Sequence, residues 1–372
     1  MRIDLVELRL LRLPLARHFE TSFGRSTDRT FVLVTVHADG IAGWGECVAE
    51  AHPYYSSETA DGAYRVLAQY LVPLLLGVDL ADPREVGPRL RRVRGHRMAK
   101  GALEMAIWDL YARSRNEPLS QVLGGTHRRI ASGVSIGIQD TVEELLERIA
   151  MERAAGYQRV KIKIKPGWDV EVVERVRARY ADLPLMVDAN AAYTPADTDR
   201  LRALDAFDLL MIEQPLAEDD LVDHAALQRQ LKTPICLDES IESREALEAA
   251  LALGACRIVN VKPGRLGGFA ESLAVHDRCG AAGIPVWHGG MLESGIGRAH
   301  NIHLASLPNF TLPGDIGASS RYYQPDLIDP PIEVASDGTI AVPDGPGIGV
   351  AIVPERVQQA TLRQVALRAG RQ

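Results

Sequence analysis

The sequence predicts an α/β fold, a (β/α)8-type barrel with an α+β capping domain, and three observations carry that prediction. Eight short β-branched or aliphatic runs follow one another through the middle of the chain, at 133–138, 160–164, 183–187, 209–212, 235–237, 258–261, 284–287 and 310–312. The segments between them, such as 141–154, 170–180 and 244–253, have the apolar spacing of amphipathic helices, so the pattern is a βα unit repeated eight times. Charged residues stand at the ends of five successive runs, Lys163, Asp188, Glu213, Asp238 and Lys262, at intervals of 25, 25, 25 and 24 residues. Parallel strands with helical crossovers need both faces covered. A closed barrel does this, and it gathers strand-end residues at its C-terminal mouth.

The N-terminal part has a different rhythm, and the change falls near Gly124-Gly125. Two strand-like runs, 3–13 and 30–37, are joined by a polar, Phe-containing stretch at 18–28, and helical patterns follow over 57–76 and 97–115. Residues 1–125 therefore read as an α+β capping unit and residues 126–318 as the barrel. Beyond about Ser319 the repeat stops. The segment 319–372 holds a Gly/Pro-rich strand-like piece at 340–350 that is expected to return to the N-terminal unit.

Composition narrows the function classes. Of 372 residues, 46% are apolar and 24% charged, which fits an ordinary globular chain and excludes a disordered or fibrous one. The 42 basic and 49 acidic residues give a net charge of −7 without a long basic run, so nucleic acid and membrane surfaces are poor partners. The most apolar stretch, 70–78, is broken by Pro73 and falls far short of the ~20 residues that a bilayer span needs. The opening MRIDLVELRLLRLPL alternates charged with apolar residues, unlike a signal peptide. Cys47, Cys236, Cys256 and Cys279 form no C-x-x-C pair and read as reduced thiols of a cytoplasmic protein.

The strand-end residues are the chemistry. Any one carboxylate there also reads as a helix N-cap or a solvated residue. Three in register would repel one another unless a cation lay between them, and all-oxygen ligands suit Mg²⁺ or Mn²⁺. A lysine serves as a general base when burial or a like-charged neighbour lowers its pKa. Lys161, Lys163 and Lys165 alternate with apolar residues and project to one face of their strand, so Lys161 is expected to depress Lys163. A salt-bridged edge strand would show the same alternation. A Schiff-base enzyme using Lys163 or Lys262 as nucleophile and a noncatalytic metal-binding scaffold also stay open. The G-x-S-x-G string around Ser135 lies within a strand run rather than at a strand-to-helix turn, so a hydrolase elbow is set aside. His288, His300 and His303 read as structural.

Seven segments resemble the enolase superfamily, muconate-lactonizing subgroup, and within it the o-succinylbenzoate synthase and N-acylamino acid racemase family. They are GHRMAKGALE (95–104), VKIKIKPGWD (160–169), VDAN (187–190), IEQP (212–215), ICLDES (235–240), IVNVKPGR (258–265) and GGMLESG (289–295). The match runs over nearly the whole chain. It implies a modified TIM barrel in which Lys163 takes the α-proton of a small carboxylate substrate and Lys262 faces it from the other side. Asp188, Glu213 and Asp238 would hold the metal that stabilises the enediolate. Lys161, Ser135, Asn190, Gly290 and Met291 are implied near the substrate, with Phe19, Phe23 and Tyr55 where the capping domain closes. Arg265 matches the pattern of members that racemise N-acylamino acids, with a surface-loop arginine as the alternative. Glu50 departs from the apolar residue expected there. The resemblance implies dehydration of succinyl-hydroxycyclohexadiene carboxylate for menaquinone synthesis, racemisation of N-succinyl or other N-acylamino acids, or both. A dedicated racemase or a dipeptide epimerase is the alternative, and a homo-oligomer is expected.

Overall fold

A computed structural model describes residues 1–370, so the last two residues of the C-terminal segment lie outside the described residues. The two N-terminal runs form one long antiparallel hairpin, β1 (Leu5–Thr21) and β2 (Gly24–Ala38). The polar stretch 18–28, expected as a connection, is instead the tip of that hairpin. Pro14 has no N–H for the ladder, the register shifts between Pro14 and Phe19, and pairing resumes at Phe19 and Ser26. That irregular tip carries Phe19 and Phe23 to the barrel.

The strand β3 (Ile41–Cys47) pairs with β2 and packs on the long helix Arg97–Ser114. A Cβ at Gly45 would collide with the Ala102 carbonyl, so only glycine allows this approach of helix to strand. The expected helix 57–76 is shorter. Thr59 caps Ala60–Val66, a π turn spans Leu67–Leu71, and Val72–Leu74, with Pro73, closes it as a 3₁₀ turn.

After β4 (Arg129–Ala131), seven of the eight expected runs form a parallel sheet. They are β5 (Val134–Ile136), β6 (Val160–Lys163), β7 (Leu185–Asp188), β8 (Ile212–Glu213), β9 (Ile235–Leu237), β10 (Ile258–Val261) and β11 (Val286–His288), each beside the next. The eighth run, 310–312, is no regular strand. Pro308 and Pro313 flank it and cannot donate to a ladder, and single parallel bridges, Val286 to Phe310 and Ser132 to Gly314, tie it to both ends of the sheet. The ring closes through those bridges. Met186, Met211, Cys236, Ile258 and Trp287 fill its interior.

The piece 340–350 does not extend the N-terminal sheet as a strand. Its start, β12 (Thr339–Ala341), pairs with β4, and the strand that pairs with β1 is β13 (Thr361–Arg368). No helix among the described residues is long and apolar enough to cross a membrane.

Two buried glutamates join the N-terminal unit to the barrel at helix N-termini, where free N–H groups and the helix dipole favour an acceptor. Glu104 accepts from Phe269 N at 2.6 Å and Ala270 N at 3.0 Å. Glu46 accepts from Ser294 N at 3.1 Å, Ser294 Oγ at 2.6 Å and Gly297 N at 3.2 Å. Burial pushes both carboxyls up from 4.5 to about 7. The folded state therefore holds these protons more tightly than the unfolded chain, so this contribution to stability is present near pH 4.5 and is lost as pH rises through 7. Glu46→Gln with Glu104→Gln should reduce the fall in urea midpoint between pH 5 and pH 8, at a cost of about 1–3 kcal/mol from mismatched hydrogen bonds. An unchanged pH slope in the double variant would show that neither group titrates on unfolding.

Candidate active site

Parallel register sets the charged residues side by side. Ser135 pairs with Lys161 across β5 and β6, Lys163 with Asp188 across β6 and β7, and Asp188 with Glu213 across β7 and β8. Asp238 and Lys262 follow directly on β9 and β10. Lys161 Nζ lies 3.0 Å from Asp188, 2.9 Å from Glu213 and 2.7 Å from Asp315. Lys163 Nζ donates to Asp188 and to Asn190 Oδ1, both at 2.6 Å. Lys262 Nζ donates to Asp238 at 2.6 Å and to Tyr55 Oη at 3.1 Å. Lys165 lies past the end of β6 and is half-exposed, apart from the other two lysines of the run.

Lys161, Lys163 and Lys262 line one cavity of about 70 Å³, which Phe19, Phe23 and Tyr55 cover from the N-terminal unit. Ser135, Asn190, Gly290 and Met291 also line it. Ser135 Oγ is buried without a partner among the described residues and lies inside a strand, which is no nucleophile elbow. Arg265 stands behind the wall, buried. The short helix Pro263–Leu266 turns it back, so its guanidinium donates to Asp238, to Ile241 O and to Asn260 O. This differs from a surface arginine, and Arg265 is not one of the residues that line the cavity.

The electrostatics follow from this crowding. Burial opposes the charge of Asp188, yet the Lys163 and Lys161 ammonium groups hold its carboxyl below the usual range. Burial and the Asp188 charge push Glu213 up, so adjacent carboxylates are driven apart. Burial also disfavours the Lys161 charge, but Asp315, Glu213 and Asp188 outweigh it and raise its pKa.

Among the described residues, no three His, Cys, Asp or Glu side chains form a ready coordination shell. Asp188, Glu213 and Asp238 turn their oxygens to Lys161, Lys163, Lys262 and Arg265 instead. The donor set fits a hard divalent cation all the same, being three buried carboxylates on adjacent strands whose oxygens already gather positive charge.

Residues that the spacing argument missed support the site. Asp315 pairs with Lys161 and with Arg159, at 2.6 Å from the latter, and Glu239 accepts from Asn190 Nδ2 at 2.9 Å. Asn260 Nδ2 donates to Glu213 at 2.6 Å. Two βα units beyond Lys262, at wider intervals of 26 and 27 residues, come His288 and then Asp315, so Asp315 lies off the constant spacing of 24 or 25.

Residues 144–356 match the family model described as enolase C-terminal domain-like. Residues 6–124 match the mandelate racemase / muconate lactonizing enzyme N-terminal domain. The chain is 53% identical over 362 residues to an o-succinylbenzoate synthase of Geobacillus kaustophilus, covering 97% of this chain and 96% of that one. It is 50% identical over 366 residues to an N-succinylamino acid racemase of Amycolatopsis sp., covering 98% and 99%. A crystal structure of an enolase superfamily member from Listeria innocua is similar with a TM-score of 0.96 and 40% identity, covering 100% of both chains.

Arg159 is 1% exposed and its acidic partner is Asp315. Asp315→Ala should therefore destabilise the fold by about 3–5 kcal/mol, the usual result of leaving a buried charge uncompensated, as read by urea unfolding. A loss below about 1 kcal/mol would mean that water reaches the guanidinium.

Proposed function

Because the chain belongs to the mandelate racemase / muconate lactonizing enzyme family of the enolase superfamily, we propose that it removes a proton α to a carboxylate as an o-succinylbenzoate synthase. It acts on succinyl-hydroxycyclohexadiene carboxylate in menaquinone synthesis, and the same site racemises N-succinyl and other N-acylamino acids. One observation carries this reading: Lys163 and Lys262 reach a single cavity from strands that three others separate. A substrate α-carbon between them has an ammonium or amine nitrogen on each face.

Lys161, at the cavity floor, attracts the substrate carboxylate. Lys163 takes the α-proton, and Asn190, held by Glu239, orients its Nζ. In the synthase reaction the intermediate then loses its β-hydroxyl, and Lys163 returns the proton to that leaving oxygen, so water departs from the same face. In the racemase reaction Lys262 supplies the α-proton from the opposite face. Phe19, Phe23 and Tyr55 cover the cavity and exclude water. A divalent ion, Mg²⁺ or Mn²⁺, held by Asp188, Glu213 and Asp238 would supply the positive charge that favours an enediolate.

A dedicated N-acylamino acid racemase is the second reading, and the position of Arg265 favours it. Arg265 and Lys262 share Asp238, so the guanidinium takes up part of the negative charge that retains the Lys262 proton.

Chelation with EDTA should abolish turnover, and added Mg²⁺ or Mn²⁺ should restore it. Full activity of the metal-free protein would overturn the metal assignment.

The two lysines are separable. Lys163→Ala should lose ~10²- to 10⁴-fold in synthase rate, the typical worth of a positioned acid–base group. Lys262→Arg keeps the charge but does not readily release a proton, so it should retain some synthase activity while losing racemisation of both enantiomers. In D₂O that variant should still wash deuterium into the enantiomer whose α-proton faces Lys163, without inverting it. Racemisation by Lys262→Arg at the parent rate would assign the second proton to another residue.

A further inference from the structure

We infer that Glu50 selects N-acylamino acids bearing a cationic side chain, lysine or arginine, by receiving that charge where the active-site cavity opens into a second, outer cavity. The inference rests on the racemase activity proposed above and names its substrate class.

Glu50 follows β3 and lines both cavities, the inner one with the three lysines and an outer one of about 180 Å³. Its carboxylate accepts no hydrogen bond from any described residue. The nearest positive group, Arg29 Nη1, is 3.9 Å away, too far for a hydrogen bond, and Arg29 Nη2 donates to Val48 O at 2.7 Å. Arg29 Nε has no partner among the described residues, while the other charges of the outer wall are paired. Asp28 pairs with Arg12 at 2.6 Å, and Arg25 pairs with Glu20 at 2.7 Å and Asp140 at 2.9 Å. Glu50 thus has acceptor capacity left and faces the space through which a substrate substituent extends.

Charge decides which substituent that is. The α-carboxylate is drawn to the lysines. A succinyl group has its own carboxylate, which Glu50 repels, while Phe19 and Tyr322 also line a neighbouring pocket with Arg17, Arg148 and Arg321, whose three positive charges exceed the one carboxylate, Glu152, that Arg148 and Arg321 share. The acyl end therefore turns to the arginines and the amino-acid side chain to Glu50. A hydrocarbon chain there would strip water from the carboxylate and give nothing back. A lysine or arginine side chain lays its methylenes on Phe19 and Phe23 and brings donors to the carboxylate.

The test compares kcat/KM for racemisation of N-succinyl-L-lysine, its Nε-acetyl derivative and N-succinyl-L-norleucine by the parent protein, Glu50→Met and Glu50→Gln, each checked for folding by thermal unfolding. The parent should prefer the free lysine over both neutral substrates by on the order of tenfold, the worth of one charge-assisted hydrogen bond. Acetylation of the substrate alone should remove that preference. Glu50→Met should favour norleucine, and Glu50→Gln should fall between. Equal use of all three substrates by the parent, or a lysine preference that persists in Glu50→Met, overturns the role of Glu50 and leaves the racemase reading standing. Racemisation of none of the three overturns both.

Discussion

A buried ammonium group costs several kcal/mol unless a carboxylate meets it, and the mouth of this barrel buries three. Lys161 alone touches Asp188 and Glu213, at the ends of β7 and β8, and Asp315, just past the eighth run. Such pairing tolerates little slippage. A shift of one residue in any strand would turn its charge to the outer face, into the apolar layer beneath the helices, and strand its partners. Charge and apolar pattern therefore enforce the same register. Inside the ring, Trp287 lies 4.9 Å from Lys161 Nζ and 5.0 Å from the Arg159 guanidinium, so even the apolar plug takes part in solvating cations.

The same requirement operates at the junction with the N-terminal unit. Among the described residues Glu46 and Glu104 have no cationic side chain as a hydrogen-bond partner; peptide N–H groups at helix starts, the Ser294 hydroxyl and the Trp108 indole receive them instead. Ser294 ends the loop that contributes Gly290 and Met291 to the cavity, so the contact that docks the unit also shapes the pocket wall. Tyr55 then reaches across to Asp238 and Lys262. Part of the site is thus delivered by docking rather than by the barrel.

What could be read from the sequence was what repeats. The βα rhythm and the near-constant interval between strand-end charges are local in the chain, so the barrel and the five charged residues were legible. Other features depend on contacts distant in sequence. The tip at 18–28 looked like a loop because its residues are polar, yet its ladder is fixed by partners across the hairpin. The eighth run had the composition of a strand but is flanked by prolines. Arg265 left a surface residue open as an alternative, and the turn of Pro263–Leu266 buries it. Glu46 and Glu104 showed nothing in the sequence, since a single glutamate beside an apolar stretch is commonplace. Their role comes from helix N-termini far along the chain.

The two lysines of the cavity are not equivalent, and the difference bears on which chemistry each supports. Lys163 donates to Asp188 and Asn190, and Asn190 in turn to Glu239, all of which belong to the barrel. Lys262 is shared between Asp238 of the barrel and Tyr55 of the N-terminal unit, whose ring also lies 4.7 Å from its Nζ. A reaction confined to the Lys163 face needs only barrel geometry around its base. A reaction using both faces needs the N-terminal unit docked, because docking fixes the position and charge environment of the second lysine. On the proposed reading, dehydration is anchored in the barrel, whereas racemisation is a property of the two units together. The residues that tune racemisation are then to be sought at their junction, where Glu50 and Arg265 both lie close to Tyr55 in the wall or just behind it.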